Sequence, residues 1–371
     1  MSLREADSRA LDAFRGIAVA LMVANHLGYA VVPAAAQQSL ANATLIFLGS
    51  FAPALFFFAT GQGAGLSPHN GPLHHLLAKM ALLLAADALL LAARGKALGL
   101  DFFGFTAICM AALYALKACP QPRRVALGAI GMVLLARYTP APAALLGAVL
   151  PEAWGVWLTG RGGIAGISYP LSPWLVYPLA GWLWAQQMPP PGQDRRVAWL
   201  VATLLLSCGL AAIAWWRQAP FFRWGSVSVA YFTLSWAVLA GAWLLSRRAW
   251  VQGWLRVRGL SSYLNVPVHY FLVALCTVAG LAWPQPWAYL AGWLAVLAVS
   301  LGASRALEAG FVRADAAAPR AAWVVGLVVL GLAWAGSLAW WLETPGLGRA
   351  ALALAGQLGV ALVLVRVSRA R

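Results

Sequence analysis

Apolar runs of about twenty residues recur along the whole chain, and they constrain the fold more than any single residue does. A membrane-spanning helix needs roughly 20 mostly apolar residues. Runs of that kind lie near 11–32, 44–64, 75–93, 97–116, 124–140, 170–188, 197–216, 226–246, 259–282, 286–304, 321–342 and 350–365. The fifth and the last are the shortest, which leaves eleven or twelve spans. Hydrophobic residues make up 62% of the chain and charged ones 10%, where a soluble domain carries about a quarter charged residues. The sequence therefore predicts an all-α, polytopic integral membrane bundle, read as a single domain over 1–371. The first run follows "MSLREADSRALDAFRG" and has no small-residue cleavage site behind it, which predicts a retained span rather than a signal peptide.

Charge sets the orientation. With the N-terminus in the cytoplasm, nineteen of the 26 Lys and Arg fall on the cytoplasmic side of alternating spans and seven on the other. The positive-inside rule then predicts both termini cytoplasmic. This topology accounts for most of the net charge of +16, and it leaves anionic membrane lipids as natural partners. Nucleic acid is not expected, because no basic stripe is interleaved with aromatics. Cys109, Cys119, Cys208 and Cys276 match no metal or redox spacing, and no metal site is expected. The longest connection, 141–169, is rich in Gly and Trp; it reads equally as a cover over a substrate mouth or as an interfacial segment with Trp anchors.

Within this apolar chain the first span stands out, because "RGIAVALMVANH" places Arg15 and His26 at its two ends. Eleven residues return a helix to within about 20° of its starting face and rise about 16 Å. Arg15 and His26 thus share a stripe, with Asp12 one turn before Arg15 and able to pair with it. The span "RGLSSYLNVPVHY" repeats the spacing with Arg258 and His269. It starts on the same side, so His26 and His269 are expected at similar depth. Pro267 lacks the N–H that would bond the Tyr263 carbonyl, and Ser262 and Asn265 add polar groups nearby. A kink at Pro267 is expected, and because discontinuous backbone at depth is tolerated only where protein or a water-filled cavity satisfies it, a cavity is expected there.

Each of these residues has a plainer reading. Rim arginines such as Arg15 and Arg258 anchor topology and snorkel, and an intramembrane His can simply bond across helices. Ionisable groups at depth are nevertheless functional by default, which favours a working role for His26 and His269. Asp87 is the only carboxylate well inside a span; it reads as the partner of Arg94 or Lys96, or as a proton-relay member. His69, His74 and His75 read as solvated loop residues and Asp101 as a helix start.

Four segments also resemble a known family. "SRALDAFRGIAVALMVANH" is similar to the R-x-x-x-[LV]-D-x-x-R-G-x-A first span of the heparan-α-glucosaminide N-acetyltransferase-like membrane proteins. "SFAPALFFFATGQGAGLS" (50–67) resembles that family's second span, and "SYPLSPWLVYPLAGWLWA" (168–185) its Y-P-L-x-P-W segment. "GLSSYLNVPVHYFLVAL" (259–275) is similar to a late G-x-x-S-L-x-x-Y-x-x-H span of the wider transmembrane acyltransferase superfamily, with Tyr263 and Val266 replacing the usual Leu and Tyr. The resemblance covers about 8–275 and leaves the last two spans, 321–366, as accessory.

The resemblance implies an acyl group, acetyl in the first instance, carried from cytoplasmic acetyl-CoA or another acyl-CoA to a hydroxyl or amine of an extracytoplasmic carbohydrate or glycolipid acceptor. His26 would be the catalytic histidine and His269 a second site residue. Arg15, Asp12 and Arg258 would shape the donor side, where guanidinium suits the phosphates of CoA. Asn25, beside His26, and Trp174, in the Y-P-L-x-P-W segment, would support the site, together with Ser262, Asn265 and Asp87. A neutral imidazole can act as general base or become transiently acylated, and the sequence leaves both open. A transporter or flippase for a sugar or lipid-linked substrate is the alternative, with an assembly subunit behind it. The Ala/Leu/Arg-rich composition points to a bacterial inner membrane, and oligomeric states are left open.

Overall fold

The computed structural model describes residues 3–67, 70–93, 99–139, 151–160, 168–186, 196–216, 227–340 and 347–369. In chain order the helices are α1 (Leu3–Val31), α2 (Ala34–Gln37), α3 (Leu40–Gly49), α4 (Ala52–Leu66), α5 (Leu73–Ala93), α6 (Phe102–Ala118), α7 (Pro122–Tyr138) and α8 (Glu152–Thr159). They continue as α9 (Leu171–Trp174), α10 (Val176–Gln186), α11 (Arg196–Trp216), α12 (Val229–Ser246), α13 (Ala249–Trp254), α14 (Gly259–Val278), α15 (Pro286–Ala317), α16 (Pro319–Trp340) and α17 (Leu347–Arg369). Within the described residues, every apolar run of the sequence coincides with a helix or a broken pair of helices. Seven described stretches are long and apolar enough to cross a membrane: Asp7–Val31, Leu40–Leu66, Leu73–Ala92, Val229–Ser246, Gly259–Val278, Pro286–Ala317 and Leu347–Ser368. Shorter apolar stretches lie at Phe102–Ala118, Leu200–Leu210 and Arg320–Trp334. The chain is a polytopic helical membrane protein.

Local chemistry explains the breaks. The run 44–64 divides into α3 and α4, where the Ser50 hydroxyl donates to the Phe47 carbonyl at 2.6 Å and Pro53 stands in the first turn of α4. A proline there forfeits only an N–H that had no helical partner. α15 overruns its apolar segment instead. At 32 residues it is about 48 Å long at 1.5 Å per residue, against a hydrocarbon core of about 30 Å. Its continuation, "RALEAGFVRADAA", is rich in good helix formers and spaces Arg305 and Glu308 one turn apart.

Contacts group the helices into two compact units. The first comprises Met1–Phe14, Pro53–Asn70 and Leu100–Arg256. Its core is aromatic: Trp174, Tyr177, Tyr231, Phe57 and Phe105 are all fully buried. Lipid tails are as apolar as the side chains, so helices in a membrane associate through close packing and hydrogen bonds rather than hydrophobic burial. Gly61 of α4 and Gly181 of α10 show how closely. A Cβ on Gly61 would strike the Pro178 carbonyl oxygen, and one on Gly181 the Phe58 carbonyl oxygen. Polar side chains reinforce this unit, Tyr177 and Ser235 sharing a hydrogen bond of 2.7 Å and Lys117 donating to the Ser67 carbonyl at 3.0 Å.

The second unit comprises Arg15–Ala52, Gly71–Gly99 and Val257–Arg371. Here α17 packs on α5, α14 and α16, and α14 on α15. The final two spans, α16 and α17, are therefore integrated with the helix that carries His269. Gly49 of α3 sits against the Leu21 carbonyl oxygen of α1 with no room for a side chain. Three sequence expectations lie outside the described residues: Arg94 and Lys96 as partners of Asp87, most of the connection 141–169, and His69. Within that connection Glu152–Thr159 is helical, with Trp154 exposed.

Candidate active site

The structure brings His26 of α1 and His269 of α14 together, 243 positions apart in sequence. Nδ1 of His26 lies 2.7 Å from Nε2 of His269, and the rings are nearly parallel with centroids 5.0 Å apart. His269 is fully buried and His26 half-buried. The other nitrogen of His269, Nδ1, lies 2.7 Å from the backbone carbonyl of Asn265, one turn earlier on α14. The other nitrogen of His26, Nε2, lies 3.3 Å from the Tyr270 hydroxyl.

With both rings neutral, these contacts assign the protons. A carbonyl oxygen only accepts, so Nδ1 of His269 must donate to Asn265. In a neutral ring the second nitrogen is then an acceptor, so Nε2 of His269 takes the proton of His26 Nδ1–H. His26 is left with an unprotonated Nε2, which accepts from the Tyr270 hydroxyl. From donor to acceptor the chain runs Tyr270, His26, His269 and the Asn265 carbonyl. Its chemical product is one unprotonated imidazole nitrogen with a defined direction, its lone pair turned toward the Tyr270 hydroxyl.

The surroundings hold α1 and α14 in place. The Asn265 carboxamide is fully buried, donating through Nδ2 to the Ser261 carbonyl at 2.7 Å and accepting at Oδ1 from the Ser300 hydroxyl of α15 at 2.9 Å. α15 also grips α1, through Trp293 Nε1 on the Ala20 carbonyl at 2.8 Å and the Tyr289 hydroxyl on the Ala24 carbonyl. Asn25 braces α1 differently, donating from Nδ2 to the Ile46 carbonyl of α3 at 2.9 Å.

The remaining sequence candidates are distributed. Arg15 is half-buried on α1, and Ser262 is half-buried and gives its backbone N–H to the Arg258 carbonyl. Arg258 is exposed at the N-cap of α14. Asp87 is buried on α5, next to Ala86, whose carbonyl accepts from Gln357 of α17. Asp12 belongs to the first unit, where its carboxylate meets Arg256 at 3.4 Å. The fold brings this cation from 244 residues away, a partner that the one-turn spacing to Arg15 could not indicate. Trp174 also belongs to the first unit, its ring 5.1 Å from Tyr169 and 5.7 Å from Tyr177 between centroids. Asp101 stands at the N-cap of α6, and His74 is exposed.

Sequence reasoning assigned no role to Tyr270, Ser300, Tyr289, Trp293 or Gln357. The first adjoins His269. The three on α15 fall within about 40° of one another around the helix at 100° per residue, a stripe the eye passes over because serine and aromatics are ordinary in spans. Gln357 is the lone carboxamide in "LALAGQLGVAL".

A bundle of membrane spans that places a hydrogen-bonded imidazole pair on its first helix and on a late one is the class of protein this geometry defines. The family model "Heparan-alpha-glucosaminide N-acetyltransferase, catalytic" matches residues 8–211, more than half of the chain. The chain belongs to that family of membrane acetyltransferases. Comparison with curated proteins gives no match, and comparison with solved structures gives none either. The matched stretch contains His26, Arg15 and Asp12 and ends before His269.

Proposed function

We propose that this protein transfers an acyl group, acetyl in the first instance, from a cytoplasmic acyl-CoA to a hydroxyl or amine of an extracytoplasmic carbohydrate-like acceptor. Family membership supports the acetyl transfer, and the observation that carries the mechanism is the 2.7 Å contact between Nδ1 of His26 and Nε2 of His269. His26 Nε2 is the general base. The acceptor O–H or N–H gives its proton to Nε2 as the acceptor atom bonds to the thioester carbonyl carbon. The C–S bond then breaks, and the proton passes from Nε2 to the departing thiolate. While His26 carries that extra proton, its bond to His269 becomes charge-assisted and strengthens, which lowers the cost of an imidazolium at depth. Arg15, about 16 Å along the same helix, takes the phosphate-bearing end of the donor. The passage this requires along α1 is part of the proposal.

The test is thiol release from acetyl-CoA by the purified protein in lipid nanodiscs with a panel of glycan acceptors. General base catalysis contributes about 10²–10⁴-fold, and His26→Ala is expected to lose activity on that scale. Unchanged turnover in His26→Ala would remove the reading.

A further inference from the structure

α14 has a missing rung where the site needs most precision. Pro267 cannot donate, so the rung from its nitrogen to the Tyr263 carbonyl is missing, and the turn between them lacks one tie along its own helix. That turn contains Asn265, whose carbonyl holds Nδ1 of His269 at 2.7 Å. The turn is pinned from outside instead, by the Ser300 hydroxyl on Asn265 Oδ1 at 2.9 Å, with both residues fully buried. Ser300 shares a face of α15 with Tyr289 and Trp293, which hold the α1 carbonyls of Ala24 and Ala20. One stripe on one helix therefore reaches both histidine-bearing helices. The Asn265 carboxamide has no slack: Nδ2 is committed to the Ser261 carbonyl, and Oδ1 faces Ser300.

We propose that Ser300 is a positioning residue for the histidine pair, acting through Asn265. By fixing the carboxamide it fixes the carbonyl that keeps His269 protonated on Nδ1, and so keeps Nε2 of His26 the basic nitrogen. This rests on His26 being the reacting group. Without the serine hydroxyl, buried Oδ1 loses its donor and the amide turns to find another. The carbonyl of the same residue shifts with it, and the tautomer of His269 is no longer single.

The experiment reads the tautomer directly. The full-length protein, with His69, His74 and His75 replaced by glutamine, is labelled with ¹⁵N-histidine in lipid bilayers, so that only two imidazoles report. Solid-state ¹⁵N spectra are expected to show both rings protonated on Nδ1 and bare on Nε2. Ser300→Ala should mix tautomers and cut kcat about tenfold, the scale at which the outer partners of functional histidines act, with the donor KM unchanged. Ser300→Thr should restore both readouts, and Ser300→Cys should fall between, which keeps the series informative if the alanine variant folds poorly. Spectra of the starting protein showing mixed tautomers, or Ser300→Ala and Ser300→Cys both leaving spectrum and kcat untouched, overturn the proposal. Loss of folded protein with an unchanged spectrum in what remains also overturns it, since that is packing alone. If the starting protein transfers no acyl group yet Ser300→Ala mixes the tautomers, positioning stands and the assigned reaction falls.

Discussion

The Tyr263 hydroxyl of α14 donates to Oε1 of Gln357 on α17, and Nε2 of the same carboxamide donates to the Ala86 carbonyl of α5. One fully buried side chain thereby ties three helices. Gln357→Leu takes away the side-chain acceptor of that hydroxyl, leaving it the backbone carbonyl of residue 357 at 3.3 Å, and removes the donor to Ala86. It is expected to destabilise the protein by about 1–2 kcal/mol, the scale of lost buried hydrogen bonds. Thermal unfolding in detergent reads this. A cycle with Tyr263→Phe should show the two substitutions costing less together than separately, and strict additivity would mean the bond is not made.

His269→Ala removes the acceptor for His26 Nδ1–H but leaves the imidazole of His26. Turnover should fall at least about tenfold and less than in His26→Ala, and the double variant should match His26→Ala alone, because residues acting as a unit are non-additive. Rates of acyl-CoA consumption decide it; a double variant far slower than either single one contradicts a shared role.

Arg15→Ala should raise the donor KM more than the acceptor KM, because a guanidinium on the donor side contributes to holding phosphates. The reverse pattern, in steady-state kinetics with both substrates varied, assigns Arg15 elsewhere.

The Asp12–Arg256 pair should matter little for stability. The Arg256 side chain is 41% exposed and the separation is 3.4 Å, so the coupling between the two residues, read from a cycle of Asp12→Asn and Arg256→Gln, is expected to be about 1 kcal/mol or less once solvent screening is counted. A coupling several times larger, measured by chemical unfolding, would contradict this.

Gly61→Ala and Gly181→Ala should each destabilise the first unit by about 1–3 kcal/mol, since each new methyl meets backbone that cannot rotate away. Neither should alter the histidine ¹⁵N spectra. An unaffected melting temperature in both would mean that α4 and α10 do not touch as described.

The helices were legible because an apolar run of span length is a strong signal and lipid demands that each run satisfy its own backbone. The histidine pair was legible for a simpler reason: two spans entering from the same side, each with eleven residues from Arg to His, place both imidazoles at one depth. Neighbours on other helices were not legible. Nothing in the spacing of Tyr289, Trp293 and Ser300 says which carbonyls they will meet, because that depends on which helices the bundle makes adjacent. Asp12 shows the same limit, since local helical geometry could offer Arg15 but not Arg256, which only tertiary folding brings near.

The separation of 243 residues between the paired imidazoles also orders events during synthesis. At roughly 5–20 residues per second, the ribosome needs about 12–50 s between making His26 and making its partner. Throughout that interval the first span must rest in the bilayer, or beside the insertion machinery, with Nδ1–H answered by something other than His269. Biogenesis of this protein thus includes an exchange of partners at the very nitrogen pair on which its chemistry is proposed to depend.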